Sequence, residues 1–341
     1  MIALDATYSL GGELSGVGLY SREILFGLAA AHPETTFDFY YRWHRFWRAR
    51  GDVLPANTRR RLLAEPLGPR SAALFHGLNQ RLPRMRMRRA IATFHDLFVM
   101  SGEYSTAEFR ARFTGQARDA ARRADAIITV SEFTKRQVVD LLGVSDAKVH
   151  AVHHGTRKLA LPQGVPRENI VLTVGAIQTR KNIARLVAAF ESLDPSWSLV
   201  LAGSVGYGAD GILERIHRSA ARARISVTGY VSPEKLAELY ARARIFAFPS
   251  LDEGFGMPLL EAMSAGVPIL TSNRSALPEV AGDAALLVDP ENVDAITQAL
   301  RDLAQNDRLR KELTVRGRKR SELFTWEQAV AKTWRIYQEL L

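Results

Sequence analysis

Phe248-Pro249-Ser250-Leu251-Asp252-Glu253-Gly254-Phe255-Gly256-Met257-Pro258-Leu259-Leu260-Glu261-Ala262-Met263-Ser264-Ala265-Gly266 carries the pattern of a strand, a turn and a helix. An apolar strand ends at Phe248 and runs into a polar, glycine-bearing turn. Pro258 then stands where a first helical position belongs, and Gly266 closes the helix. Strand, turn and helix in that order make one unit of a parallel sheet with helical crossovers. The turn offers backbone N–H groups and a helix amino terminus, which suit a phosphate or sugar oxygen, and Gly254 and Gly256 let a ligand come close to the backbone. Glu253 sits on the turn and Glu261 is expected in the first helical turn. Ionised carboxylates are strong acceptors for sugar and ribose hydroxyls. The plainer reading makes Glu261 a complement to the helix dipole and Glu253 a solvated turn residue.

Outward from this stretch the same alternation fills the chain. Upstream, strands are expected at 2–5, 36–41, 73–75, 90–94, 126–129 and 149–152, with an amphipathic helix over 17–31. Gly155 to Asn169, with Pro162, Gly164 and Pro166, reads as a linker. After it come strands 170–174, 198–202, 225–227, 245–248, 268–270 and 285–287, and helices 182–193, 209–221, 233–242 and 258–265. A last helix over 325–341 starts at Thr325 as N-cap. The 341 residues thus divide into an α/β domain at 1–157 and another at 158–324, with 325–341 packing back on the first. Doubly wound pairs of this kind bind ligand in the crevice between them, beyond the carboxyl ends of their strands.

Composition narrows the function. The apolar fraction of 47% supports packed cores, and the absence of cysteine removes disulfide scaffolds, Cys-ligated metal sites and thiol nucleophiles. Asp5 interrupts the first apolar run and no stretch of about 18 apolar residues occurs, so a cytoplasmic location is the expectation. The net charge is +10, and residues 42 to 89 hold thirteen arginines against Asp52 and Glu65. Charge so concentrated points to an anionic partner there, or to a solvated arginine-rich surface. Within Tyr40-Tyr41-Arg42-Trp43-His44-Arg45-Phe46-Trp47-Arg48 the aromatics either rest at a membrane interface or cap the amino-terminal core.

Further segments carry chemistry. Gly11-Gly12-Glu13-Leu14-Ser15-Gly16-Val17-Gly18 follows the first strand and opens a helix, but it lacks the G-x-G-x-x-G register of a dinucleotide fingerprint. Thr93-Phe94-His95-Asp96 stands at a strand end. Val174-Gly175-Ala176-Ile177-Gln178-Thr179-Arg180-Lys181-Asn182 and Thr228-Gly229-Tyr230-Val231-Ser232-Pro233 are strand-to-helix turns, and His153-His154 are neighbours expected to point to opposite faces of a strand, which argues against a shared metal.

Taken in order, these segments, together with Ser131-Glu132-Phe133-Thr134 and Leu277-Pro278-Glu279-Val280-Ala281-Gly282-Asp283-Ala284, resemble the retaining GT-B glycosyltransferases of family 4. The resemblance is nearest to bacterial mannosyltransferases of surface polysaccharide and O-antigen. It implies two Rossmann-like domains facing a central cleft. By that resemblance Arg180 and Lys181 hold the donor diphosphate, Glu253 contacts the transferred sugar, and Glu261 holds the ribose. His95 positions the sugar or the acceptor, which makes His95, Glu253, Arg180 and Lys181 the catalytic set. Gly12, Gly175, Tyr230, Val231, Phe255, Gly256, Met257, Pro258 and Leu259 complete the donor site. Where the family often has arginine after the glycine of the phosphate turn, Ala176 stands here, and Arg180-Lys181 must supply the charge.

The resemblance further implies a nucleotide-sugar donor, GDP-mannose before a UDP-sugar, and a glycan or polyprenyl-diphosphate-linked saccharide as acceptor. No cofactor and no metal are expected, and no nucleic acid. An anionic membrane surface is expected to meet residues 42–89. A nicotinamide-dependent oxidoreductase would want a better glycine fingerprint, a nucleic-acid binder would leave Glu253 and Glu261 unexplained, and a sugar-nucleotide epimerase would isomerise donor alone.

Overall fold

Runs such as Ile2-Ala3-Leu4 and Ile170-Val171-Leu172 are apolar at every position, as strands buried on both faces must be, and each is followed by a helical segment with one apolar face. A computed structural model of the chain shows the result; it describes residues 1–341 apart from Gly12, Glu13, Pro66, Leu67 and Lys158. The chain divides into two compact units: 1–101, 106–155 and 325–341 form the first, and 102–105 and 156–324 the second.

The first unit runs β1 (Ile2–Asp5), α1 (Gly16–Ala31), β2 (Phe37–Arg42), α2 (Trp43–Phe46), β3 (Thr58–Leu63), β4 (Leu74–Gly77), β5 (Ala90–Phe94), α3 (Phe98–Ser101), α4 (Ala107–Arg123), β6 (Ala126–Thr129), α5 (Glu132–Leu142) and β7 (Val149–Ala151). Its sheet is wholly parallel in the order β3-β2-β1-β4-β5-β6-β7, so the winding reverses between β1 and β4. Alternate residues of β1 enter different layers. Ile2 and Leu4 join Phe37, Phe39, Tyr20, Ile24 and Leu28 on one face; Ala3 joins Phe75, Phe94, Phe113 and Ala117 on the other.

The second unit runs β8 (Glu168–Val174), α6 (Ile183–Phe190), β9 (Ser198–Ala202), α7 (Ala209–His217), β10 (Ile225–Gly229), α8 (Pro233–Arg242), β11 (Ala243–Phe248), α9 (Met257–Ser264), β12 (Ile269–Ser272), α10 (Leu277–Ala281), β13 (Ala285–Val288), α11 (Val293–Gln305) and α12 (Asp307–Ser321). This parallel sheet is ordered β10-β9-β8-β11-β12-β13 and reverses between β8 and β11. Val171, Leu199, Leu201, Ile245 and Leu270 meet α6, α7 and α11 through Leu186, Phe190, Ile216, Ile296 and Leu300. The final helix, α13 (Trp326–Leu340), belongs to the first unit and packs on α1. Thr325 caps it, its Oγ1 accepting the Gln328 N–H at 3.1 Å.

Some boundaries move for physical reasons. Residues 168 and 169 belong to β8 rather than to the linker. The helix expected from 182 starts at Ile183, because Asn182 is held at φ 58° with its side-chain amide donating to the Pro249 and Pro290 carbonyls at 3.0 and 2.6 Å. β3, absent from the sequence reading, is an edge strand whose run Arg59-Arg60-Arg61 hides its strand character. Charge on an edge discourages pairing with another chain. The aromatic segment after β2 divides its roles: Tyr40 and Tyr41 are buried and Phe46 packs on the core, while Trp43 and Trp47 are 65% and 52% exposed.

Candidate functional site

A doubly wound sheet leaves a crevice where neighbouring loops diverge at the reversal of strand order, beyond the strands' carboxyl ends. In the second unit that point lies between β8 and β11, so the loops after Val174 and after Phe248 must supply its side chains. They do. After β8 the chain turns through Gly175 at φ 137°, where a Cβ would stand 3.2 Å from Lys181 Cε; glycine lets the lysine stem lie against the backbone. One 3-10 turn, Thr179–Lys181, then sets Arg180 and Lys181 side by side, both buried. The Arg180 carbonyl accepts the Leu251 N–H at 2.8 Å, tying the two loops together.

Glu253 is the meeting point. Its Oε1 accepts from Lys181 Nζ at 2.6 Å and its Oε2 lies 2.9 Å from Arg180 Nη1, which also donates to the Asp252 carbonyl. Lys181 Nζ stands 4.4 Å over the Phe248 ring. Burial pushes the Glu253 carboxyl up, but Arg180 and Lys181 more than offset this and hold it down at about 2. The cluster is therefore two buried cations around one ionised carboxylate, with one positive charge in excess. The Glu253 N–H donates to Ser275 Oγ at 3.1 Å, fixing the turn from β12's side.

Gly256, at φ 104°, is the N-cap of α9, with Pro258 in its first turn. Glu261 is the fifth residue of that helix, past the first turn in which it was expected, and no acidic residue occupies the first turn. Its environment differs from that of Glu253. Glu261 is buried, its Oε2 accepts from Tyr240 OH at 3.0 Å, and Arg157 Nη1 is 3.9 Å from Oε1. Burial raises the Glu261 carboxyl, with Arg157 and the Tyr240 hydroxyl acting against the rise. Phe255 packs edge-on against Phe324 at 5.9 Å. Tyr230, exposed, and Val231, half-buried, follow β10.

In the first unit His95 follows β5, and its Nε2 is 3.0 Å from the Leu78 carbonyl, so Nε2 carries the proton and Nδ1 is left as acceptor. Burial lowers the ring to about 4, with the Leu78 bond acting against the fall. The Tyr20 ring meets it edge-on at 4.8 Å, and His154 stacks at 5.7 Å. Beneath lies a buried chain of polar groups: Tyr337 OH to His76 Nδ1 at 2.6 Å, His76 Nε2 to Thr93 Oγ1 at 2.7 Å, and Thr93 Oγ1 to Tyr20 OH at 3.2 Å. His153 and His154 lie beyond the end of β7 rather than on a strand, and among the described residues no three His, Cys, Asp or Glu side chains group as a metal site. Gly12 falls outside the described residues.

Two family models match the chain: "Glycosyltransferase Family 4" over residues 70–157 and "Glycosyl transferases group 1" over 162–320. O-antigen chain mannosyltransferase B of Escherichia coli is 31% identical over an alignment of 387 residues that spans the whole of both chains. The chain belongs to the GT-B glycosyltransferases of family 4. Among solved structures, sucrose-phosphate synthase of Thermosynechococcus elongatus superposes with a TM-score of 0.76 at 24% identity, covering 99% of this chain and 98% of the other. The Anabaena protein HepE in complex with UDP and glucose gives 0.74 at 15% identity, with the same coverage.

The transferase thus places Arg180, Lys181 and Glu253 in direct contact, with Gly175 against the Lys181 stem. Glu261 stands apart in the company of Arg157 and Tyr240, and His95 belongs to the other unit. Sequence reasoning missed Arg157, Tyr240, Asn182 and Ser275. Only Asn182 carried a signal, as the residue that ends the Thr179-Arg180-Lys181-Asn182 turn.

Proposed function

We propose that this transferase moves mannose from GDP-mannose, with retention of anomeric configuration, to a glycan or polyprenyl-diphosphate-linked saccharide in surface-polysaccharide synthesis. The observation that carries it is the buried Arg180/Lys181/Glu253 cluster at the β8/β11 reversal. A departing nucleoside diphosphate gathers negative charge, and two fixed, desolvated cations stabilise that charge more than they stabilise the bound donor. Glu253 turns a carboxylate toward the sugar hydroxyls while keeping both cations in place. Retention on one face of the sugar needs no separate base, because the leaving phosphate oxygen can take the acceptor's proton. To His95 we assign a sugar hydroxyl, donor or acceptor, held through Nδ1. Arg180 and Lys181 let the diphosphate be held without a divalent ion. The mannosyl choice rests on the full-length likeness to a mannosyltransferase.

Calorimetric titration with GDP, UDP, ADP and GDP-mannose, followed by NMR of the product anomer, tests this reading. GDP and GDP-mannose are expected to saturate one site, and the α-linked donor is expected to give an α-linked product. Binding of UDP alone would replace the donor, and isomerised sugar nucleotide without acceptor would replace transfer by epimerisation.

A further inference from the structure

A cavity of about 840 Å3 lies in the first unit, and none of the site residues above lines it. Its walls come from the end of β2, the segment between β4 and β5, and one side of α4. Six arginines line it, Arg42, Arg81, Arg84, Arg112, Arg122 and Arg123, against two acidic residues, Glu65 and Asp119. That leaves an excess of four positive charges.

The protein meets part of this charge: Arg123 Nη2 donates to the Pro83 carbonyl at 2.6 Å, and Arg112 lies over the Phe109 ring at 5.3 Å. Asp119 is shared between Arg122 at 3.1 Å and Arg123 at 3.3 Å. Glu65 Oε1 accepts the backbone N–H of Arg84 at 3.0 Å, while the Arg84 guanidinium has no acceptor among the described residues. Arg81 donates through Nε to the neutral Gln116 amide at 3.0 Å. Arg42 reaches Asp5 only at 3.5 Å, and its Nε is buried with no hydrogen-bond acceptor among the described residues. Guanidinium groups gathered around one recess repel, and the ligand that relieves this best is a phosphate, whose oxygens match their paired donors. From Arg112 to Arg122 the helix rises about 15 Å, a wall longer than one phosphate needs.

We propose that this arginine-lined recess is a second anion site, distinct from the donor cluster, that seats a diphosphate group carrying a further substituent. The shared chemistry is the diphosphate, and two sources can supply it: a lipid-linked diphosphate or a free one.

The test is calorimetry of the full chain with inorganic pyrophosphate, with and without saturating GDP. A pyrophosphate class that GDP does not displace is expected. The exposed trio R84Q/R112Q/R122Q should weaken that class by about 100-fold, with GDP affinity and Tm unchanged. R84K alone keeps the charge but not the forked geometry, and should weaken it by about tenfold. Geranyl diphosphate binding about tenfold tighter than pyrophosphate assigns the recess to a lipid-linked group, and equal binding assigns it to a free diphosphate. A wild type without the GDP-insensitive class, or a class that survives the triple substitution, overturns the proposal. If GDP itself fails to bind, the donor reading falls, while the pyrophosphate titration still decides the recess.

Discussion

At the scale of single residues, Glu253 stands between two cations and leaves one positive charge in excess, so removing different members should have different signatures. Lys181→Ala takes away one of the two cations to which the diphosphate is assigned under the proposed function, and is expected to weaken GDP binding by about 100-fold in calorimetry. Glu253→Gln keeps the shape but releases both cations from their carboxylate. Nucleotide binding should hold or tighten while kcat drops by at least about 100-fold. Equal losses of binding in the two variants would show that Glu253 merely orders the turn. Because both cations are fixed by the protein, transfer is expected to persist in excess EDTA, and loss of activity restored by magnesium would contradict the assignment of the diphosphate to Arg180 and Lys181. Glu253 could be picked out from its place on the turn after a strand, whereas Arg180 and Lys181 stand out only through the family resemblance. The Glu261 partners could not: Arg157 and Tyr240 reach it only through the fold, and nothing local marks either of them.

At the scale of elements, the turn after β8 depends on a neighbour it does not touch through side chains. A Cβ on Gly203, just past β9, would stand 2.0 Å from the Gly175 carbonyl oxygen and 2.4 Å from its carbon, backbone atoms that cannot swing aside. Gly203→Ala is therefore expected to lower stability by about 2–3 kcal/mol and, by displacing Gly175, to loosen Lys181 and weaken GDP binding along with it. Thermal denaturation and calorimetry of the one variant check both. A variant destabilised but binding normally would show that the strain is absorbed on the β9 side. Most parallel strands could be read from their unbroken apolar runs, since burial on both faces leaves such a pattern. β3 could not, because an edge strand needs no such run and this one carries three consecutive arginines. The site emerges from the order of strands, with β8 beside β11, and that neighbourhood is a tertiary fact which local periodicity does not encode.

At the scale of the whole molecule, the two units respond to acid in different windows. His76 and His95 are lowered by burial from 6.5 to about 3 and about 4, so their contribution to the first unit is complete above pH 6.5 and is lost as the pH falls toward those values. Glu253 is lowered from 4.5 to about 2, so its contribution to the second unit holds down to about pH 4.5 and is lost below it. Trp43, Trp47, Trp326 and Trp334 lie in the first unit and Trp197 in the second. Tryptophan fluorescence in a fixed denaturant concentration should therefore shift between pH 6.5 and 4.5, before the proposed GDP site loses its affinity, and simultaneous loss of both would refute the separation. The first unit also carries the charge asymmetry. Trp43 and Trp47 face solvent, and Arg50 lies over the Trp47 ring at 4.0 Å, which puts amphipathic rings beside guanidinium groups as at a lipid headgroup layer. Among the described residues no helix is long and apolar enough to cross a membrane. Each arginine near an anionic bilayer contributes about 1 kcal/mol, so R45Q/R48Q/R50Q should lower partitioning onto phosphatidylglycerol vesicles by about 100-fold. Neutral phosphatidylcholine vesicles should leave wild type and variant equally in solution. Flotation of both proteins to the same extent on anionic vesicles would remove this surface from the account and leave its arginines to the solvent.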